Sequence, residues 1–295
     1  MKTKYKPGDV IFNILNYTFF GLFTLICVYP FYYVFIYSIS DSILAIRGIT
    51  FFPRGITLRN YVEVFNEGGI AQAAFVSLAR TVIGTTITVL CSAFFAYLMT
   101  KEKMYFRKFI YRFMVVTMYV GAGLIPFFLT MRAYGLNNNF LIYVIPGALA
   151  PFNVILVKTY MESLPSSLEE AAIMDGAGIV KIFSAIMFPL SKPIIATIAV
   201  FAAVGQWNSW FDNLIFMVGR PEFNTLQFIL FNMLNRATIN PDTIDMTTAE
   251  MLAARITPDS IRMTTTMIVT LPILFVYPFA QRYFVKGIMI GAVKG

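Results

Sequence analysis

The 295-residue sequence has no histidine, only two cysteines and two tryptophans, and just 13% of its residues are charged. Each shortage excludes a class of function. Without histidine, the common zinc sites and the Ser–His or Cys–His nucleophile pairs have no support. Cys27 and Cys91 both fall inside apolar runs with no metal-ligand spacing around them, so they read as inert packing residues and not as a disulfide or metal pair. There is no GxxxxGK[ST] phosphate cradle and not one Gly-Lys dipeptide, which excludes a P-loop ATPase activity. The charged fraction is about half that of an ordinary soluble domain, while 58% of the residues are hydrophobic. That is the composition of an integral membrane protein. The net charge of +8 does not point to nucleic acid, because the basic residues lie in short segments between apolar runs and form no basic helix face or stacking platform.

Six apolar runs, at about 11–38, 74–99, 113–131, 140–160, 186–218 and 263–284, predict an all-α integral membrane protein with six transmembrane helices in one domain over 1–295. The first run is too long for a signal-peptide core and is expected to cross the bilayer with tilt, kinked but not ended at Tyr29-Pro30. Between the first two runs, ITLRNYVEVF predicts a short amphipathic helix on the outer surface. Asn137, Asn138 and Asn139 predict an external turn, and residues Gly219 to Arg262 an outer loop. Lys2, Lys4, Lys6, Lys101, Lys103, Arg107, Lys108, Arg112, Lys158, Lys181, Lys192, Arg282, Lys286 and Lys294 fall on the side of the amino terminus. Arg47, Arg54, Arg59, Arg132, Arg220, Arg236, Arg255 and Arg262 fall on the other. The positive-inside rule then puts both termini in the cytoplasm.

The stretch SLPSSLEEAAIMDGAGIVKIFSAIMFPLSKP, Ser163 to Pro193, is the one long amphipathic insertion between apolar runs. Ser166-x-x-Glu169 and Ser167-x-x-Glu170 both fit a capping box. Leu164, Leu168, Ala171 and Ala172 fall on one helical stripe with Glu170 opposite, Asp175-Gly176 breaks the helix, and Ile179, Phe183 and Ile186 begin a second stripe. Two short helices at an angle on a membrane face make a docking knob.

This stretch resembles the EAA loop of bacterial ABC importer permeases. Glu170, Ala171, Ala172, Gly176, Ile186 and Pro189 match its pattern, and Phe188 stands where the family usually has Leu. The resemblance runs over nearly the whole chain, through Trp207-Asn208 and the tail QRYFVKGIMIGAVKG, and is strongest to carbohydrate-importing, MalG-like permeases. It implies a type I importer permease fold in the bacterial cytoplasmic membrane, with loop 163–185 docking on a separate ATPase through Glu170, Ala171, Ala172, Asp175, Gly176 and Ala177. It implies a second homologous permease subunit, two ATP-binding-cassette subunits and an extracytoplasmic solute-binding protein; topology alone assigns the outer loops around Arg59 and Arg236 to contact with that protein. It also implies no cofactor in this chain, ATP and Mg being held by the ATPases.

The fifth run is the most polar, with Gln206, Asn208, Asp212 and Asn213, residues that are costly in lipid and usually face a cavity. Offsets of three, four and seven residues put Gly205, Asn208, Ser209 and Asp212 on one helix side, the expected translocation path. Trp207, Asn208, Trp210 and Asp212 supply the aromatic and hydrogen-bonding groups typical of a sugar site; an interfacial belt role for Trp210 stays open. Arg80 has two readings, a partner for Asp212 or a side chain snorkelling to the interface. Ion-coupled secondary transport, import of a non-sugar solute by an ABC permease and an intramembrane enzyme remain as alternatives. No inverted repeat supports the first, and no paired carboxylate or activated serine supports the last.

Overall fold

The computed structural model describes residues 7–66, 69–239 and 257–292. Lys2, Lys4, Lys6, Arg255, Lys294 and residues 240–256 of the expected outer loop lie outside the described residues, as do the side chains of Arg236, Arg282 and Lys286. The described residues are helical apart from loops and one isolated antiparallel bridge between Ser40 and Ile56. The chain divides into two compact units, Met1–Gly68 with Met233–Thr270, and Gly69–Asn232 with Leu271–Gly295.

In the first unit, α1 (Pro7–Ser38) is a continuous 32-residue helix with Pro30 inside it. Almost all of its side chains up to Phe31 are exposed, as a lipid-facing helix requires. A short α2 (Ser42–Ala45) follows, and the Asp41 carboxylate accepts from the amides of Ile43 and Leu44 at 3.0 and 3.1 Å. The expected amphipathic helix is α3 (Arg59–Asn66), which buries Asn60 and Val64. Asn60 ties the segment together. Its amide donates to the carbonyls of Ser38 and Ser40 at 2.9 and 2.8 Å, and its Oδ1 accepts from the Ser42 hydroxyl at 2.8 Å. Ile36, Tyr37, Ala45 and Ile49 form a small core, with Tyr33 and Met263 against it.

The second unit is built on α4 (Ile70–Thr100), a 31-residue helix whose buried face carries Val76, Arg80, Gly84, Thr88, Ala93 and Tyr97. Small residues on this face let other helices approach closely, the usual packing solution in a bilayer. The third expected span is broken into α5 (Arg107–Thr117) and α6 (Leu124–Ala133), with Gly121 and Gly123 in the gap. Each half is only about 15 Å long at 1.5 Å per residue, too short to cross alone.

The fourth expected span, 140–160, is also not one helix. A 3-10 turn at Phe140–Tyr143, capped by Asn139, gives way to irregular backbone, and α7 (Pro151–Glu162) starts afterwards. Pro146-Gly147 accounts for the break, since proline restricts the residue before it away from the helical region and both residues punctuate helices.

The expected fifth span, 186–218, needs the largest correction. After α8 (Ser167–Met174), α9 (Ile179–Ile182) runs through a π-helical stretch at Phe183–Met187 into α10 (Phe188–Leu190). The chain then turns by 85° before α11 (Lys192–Asn208). Pro189 and Pro193 flank the turn at Ser191 and lack the amide donors that a straight helix would use. The helix stops at Asn208 and restarts as α12 (Phe211–Phe216). The expected outer loop holds α13 (Leu226–Ile239), and α14 (Pro258–Ala292) is longer at both ends than the expected 263–284, with Pro272 and Pro278 inside. Among the described residues three helices are long and apolar enough to cross a membrane singly, and the bent pair makes a fourth.

The main core of this unit joins α4, α7, α9, the π-helical stretch and α11 around Tyr97, Val154, Val157, Ile182, Phe183 and Ile198. It positions both regions described next. Cys27 and Cys91 are free and exposed, not packed as the sequence predicts. Both lie on long helices apolar enough to cross a membrane, where an exposed thiol need not face water.

Candidate functional site

Two regions gather the residues that the sequence singles out. The first is the knob between α7 and α11. Neither expected capping box forms: Ser166 has helical backbone angles and its side chain caps nothing. The first turn of α8 is closed by backbone bonds instead, from Glu169 and Glu170 to the Ser166 carbonyl at 3.0 Å. Glu169 is thereby free to anchor the knob. It forms an ion pair with Lys101 and accepts from the Tyr97 hydroxyl at 3.1 Å, while the Lys101 ammonium sits 3.9 Å from the Tyr97 ring centroid. The sequence predicts Glu169 only as a cap, and its proximity to Lys101 has no local signal because 68 residues separate them.

Of the expected docking residues, Glu170, Ala171, Asp175 and Gly176 are exposed, whereas Ala172 is buried and Ala177 half-buried in the main core. The predicted stripe is therefore narrower: Leu164 and Ala172 pack inward, and Leu168 and Ala171 face out. Gly176 takes φ +78°. Its amide donates to Ile173 at 2.9 Å and that of Ala177 to Ala172 at 3.0 Å. These two bonds are the Schellman ending of a helix, with Ala172 and Ala177 supplying its usual apolar contact. Beyond them the knob exposes Ile173, Met174, Ile179 and Val180, with Met174 at 87%.

The second region is an open cavity of about 350 Å³ lined by Phe127, Ile142, Phe201 and Phe216, with Arg80, Tyr143, Asn153, Gln206, Ser209 and Asp212 supplying its polar groups. Arg80, on α4, is only 3% exposed and does not snorkel. Its guanidinium makes a two-point ion pair with Asp212, one arm at 3.0 Å, donates from Nε to Gln206 Oε1 at 2.9 Å, and reaches the Ser209 carbonyl at 3.3 Å. It also lies 4.5 Å from the Tyr143 ring centroid. Fork geometry explains why arginine serves here: one planar group satisfies a carboxylate, an amide oxygen and a carbonyl together.

The break between α11 and α12 makes this convergence possible. Ser209 is extended, with ψ 130°, so its carbonyl is free to accept from Arg80. Asp212 then opens α12 and also accepts from the Ser209 hydroxyl at 3.2 Å. Three of the four residues of the expected face meet at this cavity. Gly205, Ser209 and Asp212 line the cavity, but Asn208 is exposed and outside it. Trp207 lies on another side of α11, in an apolar cleft with Pro272, Ile273 and Tyr277 of α14. Trp210 stacks on Phe231, with centroids 3.7 Å apart. Asn208 is the last residue of α11, in register with Gly205, and its side chain lies outside the cavity, whereas Ser209 and Asp212 reach it from beyond the end of that helix.

Tyr143 and Asn153 are polar cavity residues that the sequence did not single out, whereas Gln206 is among the polar residues of the fifth run expected to face a cavity. Asn153 was detectable by the same signal, an amide inside an apolar run; Tyr143 was not, because aromatics in such runs are ordinary. Gln206 packs so closely on α4 that a Cβ on Gly84 would sit 2.6 Å from its Nε2. Among the described residues no three His, Cys, Asp or Glu side chains come together as a metal-binding group.

Comparison with known proteins places these two regions in context. The family of binding-protein-dependent transport system inner membrane components matches residues 84–290. Protein LplC of Bacillus subtilis is 34% identical, covering 98% of this chain and 97% of its own length. The polygalacturonan/rhamnogalacturonan transport system permease protein YtcP of the same organism is 32% identical over 97% of this chain and 99% of its own. A crystal structure of a bacterial ABC transporter involved in the import of the acidic polysaccharide alginate contains a chain that is 30% identical, with a TM-score of 0.87 over 96% of this chain and 100% of that one. The chain belongs to the family of binding-protein-dependent transport system inner membrane components and is an ABC importer permease subunit, a multi-pass protein of the membrane.

Proposed function

We propose that this subunit forms half of the translocation path of an ATP-driven importer for a sugar or oligosaccharide delivered by an extracytoplasmic solute-binding protein. The other half is a second, homologous permease, and two ATP-binding-cassette subunits bind and hydrolyse ATP with Mg on the cytoplasmic side. Both termini are cytoplasmic, and six crossings arise by counting the broken segments as spans. The sugar class rests on the relatives, whose names concern polygalacturonan, rhamnogalacturonan and alginate.

The observation that carries the coupling role is the knob itself. It exposes Glu170 and a cluster of apolar side chains around Met174, yet is fixed to the body of the unit by Glu169, Ala172 and Ala177. A surface of this kind transmits a push because its free face is sticky and its root is rigid. Closure of the ATPase pair moves the knob, and the energy comes from the partners' unequal affinity for the inward- and outward-facing states. The polar cavity is the candidate path, with Gln206, Asn153 and Ser209 as hydrogen-bonding groups among aromatic walls. The test is uptake and substrate-stimulated ATP hydrolysis in a reconstituted complex containing both permeases, the ATPases and the binding protein. Stimulation by loaded binding protein is expected. Uptake driven by an ion gradient without ATP would instead favour a secondary carrier, and stimulation by a non-sugar solute alone would reject the sugar class.

A further inference from the structure

We infer that the loop between α1 and α3 is a membrane-surface anchor, which inserts Phe51 and Phe52 into the leaflet at the carboxyl end of α1 and offers Arg47 and Arg54 to lipid headgroups. The loop is not a free excursion. Both of its ends are fastened near that end of α1: the Asp41 amide donates to Arg54 and Gly55 carbonyls at 2.9 and 2.8 Å, the Thr57 amide to Ile39 at 2.8 Å, and the Arg54 amide to the Ser40 hydroxyl oxygen at 3.1 Å. The tip is fastened further back along the same helix. The Tyr29 hydroxyl donates to the Thr50 carbonyl at 3.3 Å, that of Tyr32 to the Phe51 carbonyl at 2.5 Å, and the Tyr29 and Phe51 rings are in contact at 6.0 Å.

These attachments fix the depth of the tip. Tyr32 and Tyr29 stand roughly 9 and 13 Å before Ser38 along the helix axis at 1.5 Å per residue. An apolar stretch of about 20 residues spans the hydrocarbon core, so a crossing that starts at Ile11 reaches its far boundary near Pro30. The tip therefore lies at the boundary between hydrocarbon and headgroups, where tyrosine is favoured. At that level Phe51 is 62% and Phe52 80% exposed, continuous with the exposed apolar surface of α1. Arg47 and Arg54 flank the tip, are exposed, and have no ion-pair partner among the described residues. Exposed aromatics at headgroup depth with unpaired cations beside them fit an interfacial lipid contact and no aqueous surface.

The inference rests on α1 crossing the bilayer. The test uses the full complex in nanodiscs of phosphatidylethanolamine and phosphatidylglycerol, in a Cys27→Ala, Cys91→Ala background with cysteine-free partner subunits. Spin labels are placed singly at Phe52→Cys, at Phe19→Cys on α1, and at Arg59→Cys on α3. Collision with oxygen, which partitions into lipid, is compared with collision with a water-soluble nickel chelate. The expected ratio of oxygen to nickel at position 52 is below that at 19, near the bilayer centre, and severalfold above that at 59. A ratio at 52 equal to that at 59 overturns the proposal, and so do low rates with both reagents, which would mean that a protein partner covers the tip. If the label at 19 itself is water-exposed, α1 does not cross, and the membrane assignment of that helix fails as a separate result. Arg47→Gln with Arg54→Gln should move the label at 52 severalfold toward nickel in phosphatidylglycerol-containing discs; an unchanged ratio would remove the arginines from the anchor.

Discussion

Breaking the Arg80–Asp212 pair from either side should have unequal effects, and the inequality follows from burial. Arg80 is 3% exposed, whereas the Asp212 side chain is 22% exposed on the cavity wall. Asp212→Leu strands a buried guanidinium, and removing one member of a buried pair typically costs about 3–5 kcal/mol. Arg80 retains Gln206 Oε1, the Ser209 carbonyl and the Tyr143 face, which holds the expected loss to about 3 kcal/mol, the low end of that range. Arg80→Leu leaves Asp212 with the Ser209 hydroxyl, the Asn213 amide and access to cavity water, so about 2 kcal/mol is expected, in the range of one charge-assisted hydrogen bond. The double variant replaces the pair by apolar side chains, a change often close to neutral, and should lose no more than about 2 kcal/mol. Unfolding of the purified chain in detergent micelles, followed by circular dichroism, gives the three differences. Additivity of the two single losses within about 0.5 kcal/mol would refute the pairing, because residues in direct contact should couple well beyond that.

Further outcomes follow from the same geometry and from the charge bias. Gly84→Ala should push Gln206 away from Arg80, since the added Cβ would lie 2.6 Å from Nε2, and should destabilise by about 1 kcal/mol in the same unfolding assay, the low end for overpacking. Glu170→Gln should leave assembly and the thermal midpoint unchanged but lower ATP hydrolysis stimulated by loaded binding protein; full stimulation would mean that the carboxylate has no role of its own. Glu169→Gln should do the opposite of leaving assembly intact, loosening the knob because the charge opposite Lys101 is lost, with a cost of about 1 kcal/mol for a partly exposed pair. A cysteine at Ala177 should be labelled from the cytoplasm alone, and a reporter fused after Gly295 should be active on that side.

The sequence was most informative where physics acts locally. The apolar runs located α1, α4 and α14, and the polar punctuation at Pro165, Ser166 and Gly176 located the knob and its turn, because helix length and glycine backbone freedom depend on few neighbours. It was least informative wherever a second segment decides the outcome. Apolar content alone joined 186–190 to α11, although the chain turns by 85° between them. The same habit made one span of 140–160, where Pro146-Gly147 breaks the helix. The Arg80–Asp212 pair spans 132 residues, and the sequence offered it only as one of two readings of Arg80, beside snorkelling to the interface. Glu169 is the sharpest case. Its spacing from Ser166 satisfied a local capping rule, yet Lys101 and Tyr97 offered a stronger partner and the cap never formed.

The turn at Gly176 isolates backbone conformation from side-chain contact, which makes it the clearest test of the knob. A Cβ at this position would meet nothing within 4 Å, so steric crowding cannot explain any defect in a Gly176 variant. What remains is φ +78°, a region that costs an L-residue about 1–2 kcal/mol and a β-branched residue more. Gly176→Asn should be tolerated, since asparagine enters the left-handed region most readily. Gly176→Val should not, because restoring an ordinary φ breaks the bonds from Gly176 to Ile173 and from Ala177 to Ala172 and swings α9 relative to α8. Gly178, two residues on, has φ −76°, also with open space around it, and Gly178→Ala should behave as wild type. The readouts are assembly with the ATPase subunits and hydrolysis stimulated by loaded binding protein. The reasoning predicts the order Gly178→Ala, Gly176→Asn, Gly176→Val, from normal to impaired. If Gly176→Val assembles and couples as well as Gly178→Ala, the angle between the two short helices is not what the ATPase reads, and the coupling role must rest on the exposed side chains alone.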